Sequence, residues 1–198
     1  MKNDTNVKNE IKRQINESIA LKKEIHDNYV DVIALIAEEI IKAYRMDKKV
    51  IWFGNGGSAA DAQHLACELV SKFVLERDSI PSLALTTNSS MLTAISNDYN
   101  FNRVFERQVE AFALPGDVLV GITTSGTSLN VIKALKTGKK KGAITVAFTG
   151  EYIGKLKNVV DYIVAVPSDN VPRIQESHIM IGHIICYLVE KSLFDKKK

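Results

Sequence analysis

Val50-Ile51-Trp52-Phe53-Gly54-Asn55-Gly56-Gly57-Ser58-Ala59-Ala60-Asp61-Ala62 is the stretch on which the fold turns. Its first four residues are an uninterrupted apolar run, the pattern of a strand buried on both faces. Glycines follow at once and let the backbone turn sharply. Behind them an alanine-rich segment reads as a helix. Strand, glycine turn and helix in this order open a β-α-β crossover.

Four more short apolar runs follow: Ser82–Leu85, Val118–Ile122, Ile144–Phe148 and Tyr162–Val166. Segments of helix length lie between them: Ser58–Lys72, Met91–Asn97 with Val104–Phe112, Leu129–Lys141, and a short one near Tyr152–Lys157. Parallel strands need connections long enough to hold a helix. The five runs therefore predict a doubly wound, five-stranded parallel sheet in an α/β (αβα) sandwich. The last stretch, Val171–Phe194, reads as a long apolar helix.

Ahead of the first strand, Val7, Ile11, Ile15 and Ile19, then Val30, Ile33, Ala34, Ala37, Ile40, Ile41 and Tyr44, recur at helical spacing. They predict an N-terminal helical pair within residues 1–45, broken near His26–Tyr29, followed by a core over 46–198. The pair either caps its own sheet or packs on another subunit. No repeat or linker interrupts the chain, so one domain over 1–198 is expected.

At 198 residues, 45% of them hydrophobic, the chain can bury a core of ordinary size. Its net charge of +3 comes partly from the terminal run Lys196, Lys197, Lys198, which is expected to be solvated. No basic stripe with interleaved aromatics is visible, so nucleic acid is not an expected partner. Cys67 and Cys186 form no CxxC pair and fall in helical stretches. They read as small buried apolar residues in a reducing compartment. Met1–Lys12 lacks the apolar core of a signal peptide, and no run of about 18 apolar residues exists to span a bilayer. A cytoplasmic protein without membrane contact is expected.

Two turns carry chemistry. In a doubly wound sheet, ligands bind beyond the carboxyl ends of the strands, where glycines admit close approach and helix N-termini favour anions. Gly54-Asn55-Gly56-Gly57-Ser58 stands at one such end, but its spacing is not that of a dinucleotide-binding GxGxxG. Thr123-Thr124-Ser125-Gly126-Thr127-Ser128 stands at another and packs five hydroxyls around one glycine. This looks like a phosphate cradle. A plain helix cap would use one hydroxyl and leave the others unexplained.

His64 and Glu68 are four positions apart on an expected helix and project from one face behind the first glycine turn. That is metal-ligand spacing, although such pairs are more often surface pairs. Gln175 and His183 lie on the last helix, about 80° apart around its axis. His178 is nearer to Gln175 in rotation, and helical geometry alone does not choose between the two histidines.

On a chain of this plan the two turns resemble the sugar isomerase (SIS) domain family. The ordered set Gly54-Asn55-Gly56-Gly57-Ser58, Asp61, His64, Glu68, Asn97-Asp98, Thr123-Thr124-Ser125-Gly126, Arg173-Ile174-Gln175-Glu176, His178 and His183 sharpens the match. Over essentially the whole chain it is similar to the branch that converts sedoheptulose 7-phosphate to D-glycero-D-manno-heptose 7-phosphate, the first step towards ADP- or GDP-heptose. The resemblance implies an aldose–ketose isomerase, a homotetramer, and one Zn2+ per subunit held by His64, Glu68, Gln175 and His183. Two imidazoles, a carboxylate and an amide oxygen suit such a borderline cation.

The resemblance also implies Glu68 and His183 as the acid/base pair, since proton transfer through an enediol needs both an acid and a base. By the same resemblance Asn55, Gly56, Gly57, Glu68, Asn97, Asp98 and Gln175 contact the sugar, while Ser58, Thr123, Thr124, Ser125 and Ser128 grip the phosphate. Thr123 and Thr127 depart from the usual Ser and Asn but keep their hydrogen-bonding capacity. Ser71-Lys72 replaces the usual Gly-Arg, which touches neither the base nor the ligands. The scaffold also serves a tetrameric protein that binds the bacterial replication initiator, and it could serve a sugar-phosphate sensor. The joint presence of His64, Glu68, Gln175 and His183 favours the enzyme.

Overall fold

The computed structural model describes residues 2–195, with side chains described from Asn6 onward, so the Lys196–Lys198 run lies outside the described residues. The strands are β1 (Val50–Gly54), β2 (Ser82–Ala84), β3 (Val118–Ile122), β4 (Ile144–Thr149) and β5 (Tyr162–Ala165). All neighbours are parallel, in the order β2-β1-β3-β4-β5. The helices are α1 (Lys2–Asn28), α2 (Val30–Arg45), α3 (Gly57–Val70), α4 (Ser89–Asp98), α5 (Val104–Phe112), α6 (Leu129–Lys140) and α7 (Val171–Phe194). The short helix expected near Tyr152–Lys157 is a 3-10 turn at Gly154–Asn158.

Alternate side chains of a strand point to opposite faces, and here both faces are covered. Val50, Trp52, Val118, Val120, Ile122, Val146, Phe148 and Val164 meet α2, α3 and α7. Ile51, Phe53, Leu119 and Ala147 meet α5 and α6, with Leu92 and Ile95 of α4 at the margin. Two-sided burial is why the strands read as apolar runs rather than as alternating patterns.

The strand order places a topological switch between β1 and β3. The chain leaves β1 towards β2, then crosses back to lay β3 on the other side of β1. Their following loops therefore diverge and leave a crevice between them. This crevice lies between the two turns singled out from the sequence.

The N-terminal helices cap their own sheet through Leu21, Ile25, Ile33, Ile36, Ala37 and Ile40. Arg173 Nη1 donates to the Gln14 carbonyl at 2.9 Å, and Ser18 Oγ donates to Glu176 at 3.0 Å, which fixes α1 on α7. The expected break narrows to Tyr29, because its N–H and carbonyl still bond Ile25 and Ile33 across the junction. Val7, Ile11, Ile15 and Ile19 remain exposed. Of the two cysteines, Cys186 is buried as expected, but Cys67 is exposed. Among the described residues no helix is long and apolar enough to cross a membrane.

Helices α3 and α7 pack closely at Gly182. A Cβ there would stand 2.5 Å from both methyls of the buried Leu65. Gly182→Val should therefore cost about 1–3 kcal/mol of unfolding free energy, the usual range for overpacking. Urea titration checks this, and a parental midpoint would show that the helices do not meet there.

Candidate functional site

The β1 and β3 loops are tied across the crevice by a reciprocal amide pair. Asn55 Nδ2 donates to Asn130 Oδ1 at 2.9 Å, and Asn130 Nδ2 donates to Asn55 Oδ1 at 2.8 Å. Asn130 is buried, and its Oδ1 also accepts the Val131 N–H at 2.9 Å. The sequence reading passed over Asn130. Its only signal was an amide in the first turn of the helix behind the hydroxyl-rich loop.

Within that loop the hydroxyls bond one another. Thr123 Oγ1 is 2.9 Å from Ser128 Oγ, and Ser125 Oγ is 2.9 Å from Thr127 Oγ1. Ser128 occupies the N-cap position of α6 yet makes no capping bond, and of the first-turn amides the one on Val131 is taken by the Asn130 side chain. The cap-only explanation of this loop therefore fails, and the helix presents its N-terminal partial positive charge to the crevice. Gly126 has φ +66°, and a Cβ on it would overlap the Tyr152 carbonyl, so only glycine fits.

At the other turn, Gly57 is covered by the Gln175 amide. A Cβ on Gly57 would come within 2.8 Å of Gln175 Cδ and 2.9 Å of its Oε1. Two turns down α3, His64 Nε2 lies 3.0 Å from Glu68 Oε1 and 2.9 Å from His183 Nε2 of α7. One ligand atom from each of these three residues falls within 4.8 Å of the others.

This convergence fits a cation. A single ring N–H cannot satisfy both contacts of His64 Nε2, and facing imidazole nitrogens hold at most one shared proton between them. Donor atoms on a tetrahedral zinc at 2.0–2.1 Å stand about 3.3 Å apart, so the two contacts of His64 Nε2 need to open by only tenths of an ångström. Gln175, the fourth ligand that the resemblance implies, lies about two turns before His183 on α7, with its amide over Gly57.

Asp61 lies one turn before His64 on α3. Burial pushes its carboxyl up to about 6, with His64 pulling the other way, and its Oδ2 is buried without a partner. The sequence reading quoted it in the motif but gave it no role.

The choice between the two histidines is now physical. His178 is fully buried under Phe148, with ring centroids 5.6 Å apart, and its Nε2 donates to the Thr149 carbonyl at 3.1 Å. It is a core residue facing β4, whereas His183 faces His64.

Asn97 and Asp98 are the last two residues of α4 rather than part of a loop. They are exposed, and Asn97 donates to Asp98 at 2.9 Å. Leu92 and Ile95 of the same helix pack on the α5/α6 face of the sheet, opposite the face that α3 and α7 cover.

The family model for the SIS domain matches residues 14–150. A phosphoheptose isomerase from Clostridium acetobutylicum is 52% identical over 193 residues, covering 96% of this chain and 98% of that protein. The chain belongs to the phosphoheptose isomerases of the SIS domain family. Solved SIS structures agree. The phosphoheptose isomerase of Neisseria gonorrhoeae superposes with a TM-score of 0.88 at 39% identity, covering 93% of this chain and 99% of the other. That of Francisella tularensis gives 0.89 at 34% identity, covering 92% and 97%.

His178 supplies a test of the histidine assignment. Burial, against the opposing Thr149 bond, drives its pKa down to about 4, from an ordinary value near 6.5. The unfolded chain then takes up a proton that the folded chain refuses. Stability is lost as pH falls from about 6.5 towards 4, by up to about 3 kcal/mol. Denaturant titration of metal-free protein at both pH values should show this loss, and His178→Gln should lack it. An equal slope in both proteins would refute the assignment.

Proposed function

We propose that this chain is an aldose–ketose isomerase converting sedoheptulose 7-phosphate to D-glycero-D-manno-heptose 7-phosphate. The observation that carries the reading is the meeting of His64, Glu68 and His183 at one point. Family membership supplies the substrate class, and the uncapped, hydroxyl-lined end of α6 supplies a phosphate handle.

Ser58, Thr123, Thr124, Ser125 and Ser128, with the free N–H groups of α6, hold the phosphate. Binding energy at this remote end keeps a flexible open-chain sugar in its reactive pose. The glycines at 56 and 57 let the sugar chain lie against the backbone, where Asn55 and Gln175 bond its hydroxyls. Glu68 takes the proton from C1 of the ketose and returns it at C2. His183 moves the accompanying proton from one oxygen to the other, so that the enediol collapses to the aldose. Zn2+ held by His64, Glu68, Gln175 and His183 would supply Lewis-acid polarisation of the substrate oxygens.

We place the working unit in the cytoplasm as a homotetramer. The exposed row Val7, Ile11, Ile15 and Ile19 on α1 supports association. A replication-initiator partner or a phosphosugar sensor could use the same scaffold, but neither function needs a base beside a metal.

Purified protein incubated with sedoheptulose 7-phosphate should form the aldoheptose 7-phosphate, lose activity with chelator and regain it with zinc. Absence of turnover in folded protein under both conditions removes the enzymatic reading. Glu68→Gln should lower kcat by about 10²–10⁴-fold, the contribution of a general base, with inorganic phosphate binding kept. Unchanged turnover would assign the base elsewhere.

A further inference from the structure

Residues 71–81, between α3 and β2, form no helix or strand. Their N–H groups must find other partners. Three successive ones, on Phe73, Val74 and Leu75, donate to the Glu190 carboxylate of α7 at 2.8, 2.7 and 2.9 Å. Consecutive N–H groups around one anion make a nest. Arg77 Nε donates to the same carboxylate at 2.9 Å, and both side chains are 1% exposed. Burial alone would push the Glu190 carboxyl up, but these backbone and Arg77 bonds hold it below the usual carboxylate range.

The pair reaches the site from two directions. Arg77 Nη2 donates to the main-chain carbonyl of Glu68 at 2.9 Å. The segment anchored on Glu190 also sets the Phe73 ring against His183, with centroids 5.4 Å apart, while His64 flanks the same imidazole at 5.0 Å. A buried ion pair is a weak source of stability, because apolar residues of equal volume often serve as well. What it does supply is a fixed geometry, and here that geometry ends on the two acid/base residues.

We propose that Glu190 and Arg77 are positioning residues for the isomerase: they lock the 71–78 segment so that Phe73 orients the His183 ring and the Glu68 main chain is held in place. The inference rests on the reading of Glu68 and His183 given above. Outer partners that orient metal ligands typically change metal affinity by about 10–100-fold when removed.

The test uses full-length protein and three variants: Phe73→Leu, which removes the ring; Phe73→Tyr, which keeps it; and Glu190→Gln, which keeps the shape and removes the charge. Zinc affinity of metal-free protein is measured by chelator competition, alongside kcat, KM, inorganic phosphate binding and the urea midpoint. Phe73→Leu should weaken zinc binding and lower kcat by about tenfold, with KM, phosphate binding and urea midpoint near parental. Phe73→Tyr should restore both. Glu190→Gln should weaken zinc binding and also lower the urea midpoint.

Parental zinc affinity and kcat in Phe73→Leu overturn the proposal. So does a Glu190→Gln protein that loses only stability. A parent that neither binds zinc nor turns over overturns the functional reading, and the inference falls with it. A working parent beside an unaffected Phe73→Leu overturns the inference alone.

Discussion

The pairing of β1 with β3, Val50 against Val118 through to Gly54 against Ile122, is the constraint on which the rest depends. It brings the ends of two strands that are distant in sequence side by side and sends their loops apart. Asn55 and Asn130 then close the base of the opening with two amide bonds. Every residue assigned to phosphate sits on one of those loops or in the first turn of the helix behind it. A sheet of the same five strands in sequential order would leave them without this crevice.

The second half of the site depends on helix packing rather than on the sheet. The sequences behind β1 and β5 each place a histidine on a helix face, and neither helix binds a cation alone. Gly182 lets α7 lie against Leu65 of α3, and the trio forms next to that contact. The proposed metal site is in this sense a property of the α3–α7 interface, much as the proposed phosphate site is a property of the β1–β3 pairing.

Features that repeat along the chain were legible in the sequence. The five strands announced themselves as apolar runs because they are covered on both faces, and the two turns were visible in their glycines and hydroxyls. What depends on distant partners was not legible. His178 and His183 have nearly the same helical context and differ only in facing Thr149 or His64. Asn97 and Asp98 carried no mark of the sheet face to which α4 packs. Gln175 shares α7 with His183, but its contact with Gly57 comes from the top of α3. Glu190 looked like any charged residue near a helix end, and only the fold shows the three N–H groups that it binds.

The bare N-terminus of α6 has a thermodynamic side. A side-chain cap contributes about 0.5–2 kcal/mol to a helix, and here Ser128 makes no such bond while the loop hydroxyls pair with one another. Without that bond the fold forgoes part of the stability its own sequence could reach. An anion seated at that helix end would make up the difference by binding the folded state alone. With phosphate held there as proposed, resistance to unfolding would rise with the concentration of phosphorylated sugar.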